Sequence, residues 1–394
     1  MVLEAVSPLG EEVEEIPAAL RRILAEEVIA REAFPPRDRA AVDGYALCYR
    51  DTAEALPGLP SQLRVIGVVP AGDRASKKLA MGQALRIMTG APLPDGADAV
   101  LKREDARLEG DCLLVTAPIP PGTHVIQAGR EFQSGERVLE KGVLLGPSEI
   151  GLLASLGYSK VAVYRRPVAA ILSIGDELVE LGGGGTGVFN SNSYALAAQA
   201  AQAGALPLSL GITRDKVEDI QARMVQGLAA DLLVTAGGSG GGDYDLVAEA
   251  LQALEADIKF QGVALRPGKT TRFALKSGKP IFCLPGRPTA AFVAFEVLIR
   301  PAILAMMGHP RPFTPLLWAV AKREIQIRPG PPKFLPAKLF YQGDELGILP
   351  IDEGRGESLR SLAQADALAI IPEGTTVVKV GERIQVQLIK SFLS

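Results

Sequence analysis

Between residues 168 and 307 short apolar runs alternate with helix-length amphipathic segments, and this alternation most constrains the fold. Val168–Ser173, Leu206–Leu210 and Leu232–Thr235 read as buried strands. Helices are predicted near 192–204 and 215–229, and again where Leu246, Val247, Ala250, Leu251 and Leu254 share a face. Ile258–Val263, Arg272–Leu275 and Ile281–Leu284 follow as strands, and a long helix is predicted from about 288 to 307. Strands separated by helices imply an open, mostly parallel α/β sheet covered on both faces.

The flanking texture differs. Val13, Ile16, Leu20, Ile23 and Leu24 fall at helical spacing, so the opening segment is expected to be one amphipathic helix with Pro17 in its first turn. From about 60 to 145 the runs shorten (Leu63–Val69, Ala84–Met88, Ala99–Lys102, Leu113–Thr116, Val138–Leu145) and Gly and Pro punctuate them, which implies small β units. Residues 147–157 turn helical again. Past Gly308-His309-Pro310, Leu316–Ile327, Ala337–Tyr341, Leu346–Leu349, Ala367–Ile371 and Arg383–Leu388 are candidate strands of a small β domain. The division expected is a discontinuous N-terminal helical part (1–40 with 141–166), a β-rich insertion (41–140), an α/β domain (167–311) and a C-terminal β domain (312–394).

Composition removes several classes of function. Lys and Arg number 42 against 45 Asp and Glu, a net charge of −3, so no bulk field draws the chain to nucleic acid. Cys48, Cys112 and Cys283 lie far apart, which argues against a disulfide framework or a thiolate zinc site. Two histidines, His124 and His309, are too few for a multi-histidine metal centre. The acidic N-terminus argues against a secretory signal, and Glu296 and Arg300 interrupt the apolar run 288–307. A cytoplasmic location is expected.

In an open α/β sheet the ligand sits at the carboxyl ends of the strands. Three loops lie there: Ser173-Ile174-Gly175-Asp176-Glu177-Leu178, the glycine-rich run from Gly237 through Asp243 to Asp245, and Leu284-Pro285-Gly286-Arg287-Pro288. Glycine N–H groups followed by a helix N-terminus form an anion cradle, but the carboxylates beside them would repel an anion unless a divalent cation intervened. Together they suggest a phosphate-bearing ligand with bridging Mg²⁺ on oxygen ligands. A tight turn and an N-cap are the plainer explanations for any one of these loops taken singly.

Two motifs fail. Gly182-x-Gly184-x-x-Gly187 begins too far beyond its strand for a dinucleotide site. Gly268-Lys269-Thr270 lacks a glycine at the P-loop spacing, since Gly262 is one residue too early, and strand follows it instead of helix. Arg266 and Lys269 nevertheless flank a Pro-Gly turn at a strand end, where two cations suit an oxyanion. In the β-rich part Asp43 and Thr89 sit in Pro/Gly/Asp-dense loops that composition reads as turns.

Taken in order, Ala41-Val42-Asp43-Gly44-Tyr45-Ala46, the run Arg86–Val100, Ser173–Gly184, the Gly237–Asp245 loop, Arg266-Pro267-Gly268-Lys269 and Leu284–Pro288 resemble the MoeA family of molybdopterin molybdenumtransferases, over residues 9 to 390. The resemblance implies an elongated four-part chain, a MogA-like central sheet that binds molybdopterin, and a homodimer whose second subunit closes the cleft. It implies insertion of molybdate into adenylylated molybdopterin with release of AMP, assisted by Mg²⁺. Carried onto this sequence, Asp43, Glu131, Glu177 and Asp245 take catalytic roles, and Glu177, Asp215 and Asp245 hold the metal. Thr89, Ser173, Gly175, Asp176, Gly237, Gly238, Ser239, Asp243, Arg266, Lys269, Pro285, Gly286 and Arg287 meet the pterin or the oxyanion. Asp43, Thr89 and Glu131 would come from the second subunit.

The sequence departs from the family pattern in places. Arg266-Pro267-Gly268-Lys269-Thr270 replaces Lys-Pro-Gly-Lys-Pro, Arg287 stands where the family has asparagine, and Ser239 is displaced within its loop. Ala128-Gly129-Arg130-Glu131 leaves one acidic group where the family has two. Pro331 or Pro336 and Gly356 occupy the places of an arginine and a serine, for which Arg355, Ser358, Arg360 or Lys333 are candidate substitutes. Arg and Lys are not equivalent toward anions, so a preference for tungstate is one alternative. A pterin- or nucleotide-binding paralogue without turnover is another, and an adenylyltransferase is a third.

Overall fold

The computed structural model describes residues 1–72, 77–182, 186–238, 245–351 and 358–390. The chain divides into two compact units, one of residues 1–26, 142–150 and 160–394, the other of residues 27–141 and 151–159.

In the smaller unit six short strands form one sheet, in the order Ala99–Lys102, Gly44–Leu47, Gln83–Ile87, Ser61–Val69, Cys112–Val115, Arg107–Glu109. Leu47, Leu63, Ala84 and Leu113 pack on one of its faces and Ala46, Leu85, Ile87 and Val100 on the other, as period-two alternation requires. Gly44 is fixed by close approach, since a Cβ there would run into the Leu101 carbonyl.

The larger unit is built on a six-stranded sheet. Its elements run β1 (Val168–Ile174), α1 (Ser191–Gln202), β2 (Leu206–Thr213), α2 (Val217–Gly227), β3 (Leu232–Gly237), α3 (Leu246–Ala253), β4 (Asp257–Gln261), β5 (Arg272–Lys276), β6 (Lys279–Leu284), α4 (Pro288–Ala294) and α5 (Arg300–Met306). The order is β2-β1-β3-β6-β5-β4. The first four strands are parallel; β5 runs antiparallel to β6, and the edge strand β4 runs antiparallel to β5. A hairpin makes that reversal: Ser277 and Gly278 both have positive φ (52° and 75°), the geometry of a tight two-residue turn.

Strand residues divide by parity between two cores. Ala169, Ile171, Val234, Phe282 and Leu284 pack against α1, α4 and α5. Ala170, Leu172, Leu233, Ile281 and Cys283 pack against α2 and α3. Both faces are therefore dry, which is why β1, β3 and β6 read as nearly continuous apolar runs.

The helical run Pro288–Met306 is apolar and long enough to cross a membrane by length and composition alone, yet most of it is buried against the sheet. A π-helical turn at Phe295–Ile299 precedes Pro301, whose missing N–H and ring disfavour regular α-helical bonding. Glu296, 2% exposed, is held there by Arg300 and by Gln199 Nε2 at 2.7 Å.

Past this helix β7 (Leu316–Ala321), β8 (Lys333–Gln342), β9 (Glu345–Pro350), β10 (Ala367–Ile371) and β11 (Arg383–Leu388) close into a barrel in the order β7-β9-β8-β10-β11. The strand expected over Leu316–Ile327 is broken: β7 ends at Ala321, and Ile325–Gln326 pairs separately with Val377–Val378.

The N-terminal helix expected over Val13–Leu24 does not form. Glu11–Glu15 is instead a strand, antiparallel to Lys160–Tyr164, and Val13 is 68% exposed. Electrostatics decides it. Strand periodicity puts Glu12 and Glu14 on one side, where both accept hydrogen bonds from the buried Arg22 guanidinium, which also donates to the Tyr164 carbonyl at 2.7 Å. In a helix those carboxylates would diverge by roughly 200°, leaving a buried cation without its counter-charges.

Candidate functional site

In the larger sheet the chain leaves β1 through α1 to β2 on one side, then crosses by α2 to β3 on the other. Because α1 and α3 cover opposite faces, their N-termini diverge at the β1/β3 boundary, and a crevice opens outside the strand ends. It is a cavity of about 480 Å³ lined by Ile174, Gly175, Glu177, Asn192, Asp215, Gly237, Gly238, Gly286 and Arg287 among others.

Glycine geometry makes the floor. Gly237 and Gly238 have φ of 103° and 64°, and a Cβ on Gly237 would strike the Ile174 carbonyl. A Cβ on Gly286 would lie 3.4 Å from the Gly237 Cα, so the loops after β3 and β6 nearly touch. Such bare backbone lets N–H groups and a ligand approach closely.

The acidic rim comes from two loops. The Asp176 backbone N–H donates to Asp215 Oδ2 at 3.1 Å, and the Asp215 N–H donates to Asp176 Oδ1 at 3.3 Å. This reciprocal pair joins the loops after β1 and β2. Glu177 is exposed and lines the cavity with Asp215. Among the described residues the cation that lines it is Arg287, at the N-cap of α4.

Other expected residues lie elsewhere. Ser173 is fully buried, donates to Asn190 Oδ1 at 2.6 Å and shares a 2.8 Å hydrogen bond with Ser193. It thereby fixes Asn190, the N-cap of α1, from beneath the crevice. Asp245 caps α3, accepting from the Ala248 N–H at 3.1 Å, and is ion-paired with Arg272. Among the described residues no group of three His, Cys, Asp or Glu side chains is close enough to hold a metal ion, so Glu177, Asp215 and Asp245 are not gathered as a trio.

Arg266 and Lys269 are not among the residues lining the cavity. Their turn is stitched to the start of β8, with the Arg266 N–H donating to the Pro332 carbonyl at 3.1 Å and the Phe334 N–H to the Arg266 carbonyl at 2.8 Å. Pro285 precedes Gly286 in the loop after β6. Ser239 and Asp243 fall outside the described residues, as do Arg355 and Gly356. Ser358 caps the helix Leu359–Gln364 in a capping box with Ser361. Pro336 lies within β8.

In the smaller unit Asp43 and Thr89 do meet. Asp43 Oδ1 accepts from both the Thr89 N–H and its hydroxyl, each at 2.7 Å, and these two hydrogen bonds hold the exposed carboxyl below its ordinary range. Glu131 is exposed beside Phe132, which stacks on Phe34 with centroids 5.5 Å apart.

Two site-building residues escaped the sequence reading. Asn192 reaches across the crevice from α1 to the Gly286 carbonyl, and Arg272 pairs with Asp245. The helix-start run Asn190-Ser191-Asn192-Ser193 was the available signal for the first; a pair 27 residues apart left none for the second.

Residues 1–157 match the MoeA N-terminal region (domain I and II), 170–305 a probable molybdopterin binding domain, and 319–389 the MoeA C-terminal region (domain IV). The chain is 34% identical over 380 residues to a molybdopterin molybdenumtransferase of Bacillus subtilis, covering 94% of this chain and 88% of the relative. It is 34% identical to the relative of that name from Nostoc, over 95% of this chain and 88% of the other. A crystal structure of a molybdopterin biosynthesis MoeA protein from Pyrococcus horikoshii superposes with a TM-score of 0.85 at 34% identity, over 99% of this chain and 97% of the other. The chain is a member of the MoeA family of molybdopterin molybdenumtransferases.

Proposed function

We propose that, within molybdenum cofactor biosynthesis, the crevice at the β1/β3 boundary receives adenylylated molybdopterin, and that molybdate is inserted with release of AMP. One observation carries the reading: among the described residues, glycine backbone, the carboxylates of Glu177 and Asp215 and the Arg287 guanidinium line the same cavity. Gly237, Gly238 and Gly286 leave room for a phosphate to approach backbone N–H groups, and Arg287 supplies positive charge at the start of α4.

The donor set suits Mg²⁺, which commonly binds through one or two carboxylates and completes its shell with substrate phosphate and water. Glu177 and Asp215 would hold it, and when bound it would polarise a phosphoryl oxygen of the bond to AMP. The residues themselves orient the ligand, screen its charge and, through the Asp176–Asp215 pair, keep the acidic loops in register. Arg266, half-buried, and Lys269, exposed, on the turn bonded to the start of β8, are proposed to meet the oxyanion. Assembly as a homodimer belongs to the same reading.

The test is a single-turnover assay of purified protein with adenylylated molybdopterin, Mg²⁺ and molybdate, monitoring AMP. Stoichiometric AMP is expected. Retention of the pterin with no AMP formed would leave a binding protein, and tungstate consumed in preference to molybdate would reassign the oxyanion.

A further inference from the structure

Arg272 opens β5, and because β5 runs antiparallel to β6 its first residue faces Cys283, near the strand ends that carry the crevice. Its side chain is 11% exposed and donates from Nη2 to Asp245 Oδ2. Nε and Nη1 are buried and, among the described residues, have no hydrogen-bond partner. Asp245 is thus the ion-pair partner shown for a buried guanidinium. Its other oxygen is committed as well, since Oδ1 caps α3. Cys283 nearby adds no negative charge at neutral pH, because burial pushes its thiol up to about 11.

We infer that Arg272 stands on Asp245 in the place of a divalent cation, so that this chain binds its metal through Glu177 and Asp215 and not through Asp245. The inference rests on the proposed metal reading of the crevice. A dication on Asp245 would face the Arg272 guanidinium at close range in a region of little water, where like charges repel strongly. Releasing Arg272 to admit the ion would strand a buried cation whose other donors already have no partner among the described residues. Glu177 and Asp215 have no such competitor among their described ion pairs, and both line the cavity.

Mn²⁺ titrations of the full-length chain, followed by the EPR signal of the free ion, decide the matter. Glu177→Gln and Asp215→Asn are each expected to weaken retention by about fivefold or more, while Asp245→Asn stays within about twofold, because one carboxylate ligand carries a large share of such a site. Asn caps a helix as well as Asp, so α3 keeps its start. Arg272→Gln frees Asp245 and is expected to tighten Mn²⁺ by about threefold or more, a gain abolished in Asp245→Asn/Arg272→Gln. A loss in Asp245→Asn equal to that in Glu177→Gln would overturn the inference and leave the metal reading standing. So would unchanged affinity in Arg272→Gln, which decides alone if Asp245→Asn does not fold by circular dichroism. Retention unaffected by Glu177→Gln and Asp215→Asn would overturn both.

Discussion

Asn192 donates from Nδ2 to the Gly286 carbonyl at 2.8 Å, tying the first turn of α1 to the loop between β6 and α4. The two elements follow different strands of the sheet, and both residues line the crevice. Asn192→Ala is therefore expected to cost about 1 kcal/mol or less of stability. Ligand affinity should fall more, by about fivefold, because ordering the loop must then be done at binding. Paired thermal melts and equilibrium binding check both; equal affinity in the variant would remove Asn192 from the site.

Gly237 is required for conformation. With φ of 103° and the Ile174 carbonyl where a Cβ would go, Gly237→Ala is expected to lose about 2 kcal/mol or more. Gly278, with φ of 75° but open space around it, should lose less on the same substitution. Chemical denaturation of the two variants tests the difference.

Asp231 anchors the start of β1, accepting from the Val168 N–H at 2.7 Å and from Arg165 at 2.7 and 2.9 Å. Burial pushes its carboxyl pKa up, but the Arg165 and Val168 hydrogen bonds outweigh that and leave it lowered. Its contribution is accordingly full above the unfolded carboxyl value of about 3.9 and is lost as pH falls through the lower folded value. Asp231→Asn should narrow the gap between stability at pH 6 and at about pH 3, and denaturation midpoints at the two pH values measure it.

Thr89 lowers the Asp43 pKa through its backbone N–H first and its hydroxyl second. Thr89→Val removes only the hydroxyl, so the Asp43 carboxyl is expected to rise part of the way to its ordinary value. Carboxyl NMR titration reads this directly; an unchanged titration would show that the backbone contact suffices.

The parts of this fold legible in sequence are those fixed by local periodicity. Ile171, Val234 and Phe282 stand in apolar runs because their strands are buried on two faces, and the helices between them show their own stripes. Loops at strand ends were placed for the same reason: Glu177 and Gly286 follow β1 and β6 and line the cavity. What was not legible depends on partners distant in sequence. Glu12 and Glu14 look like a helix start until Arg22 is seen between them, and Asp245 looks free until Arg272 is seen beside it. Ser173, polar at a strand end, is expected from sequence to face ligand and instead secures Asn190. Arg287, which stands where the family has asparagine, lines the cavity, while the backbone of Arg266 is bonded to the start of β8.

The pterin ligand is proposed to occupy the crevice where the ends of β1 and β3 part. A crystal structure of the protein grown with adenylylated molybdopterin tests it most directly. Phosphate density is expected against Gly237 and Gly238, within reach of Arg287, with Glu177 and Asp215 turned toward it. Ligand density elsewhere, with this crevice holding only solvent, would contradict it.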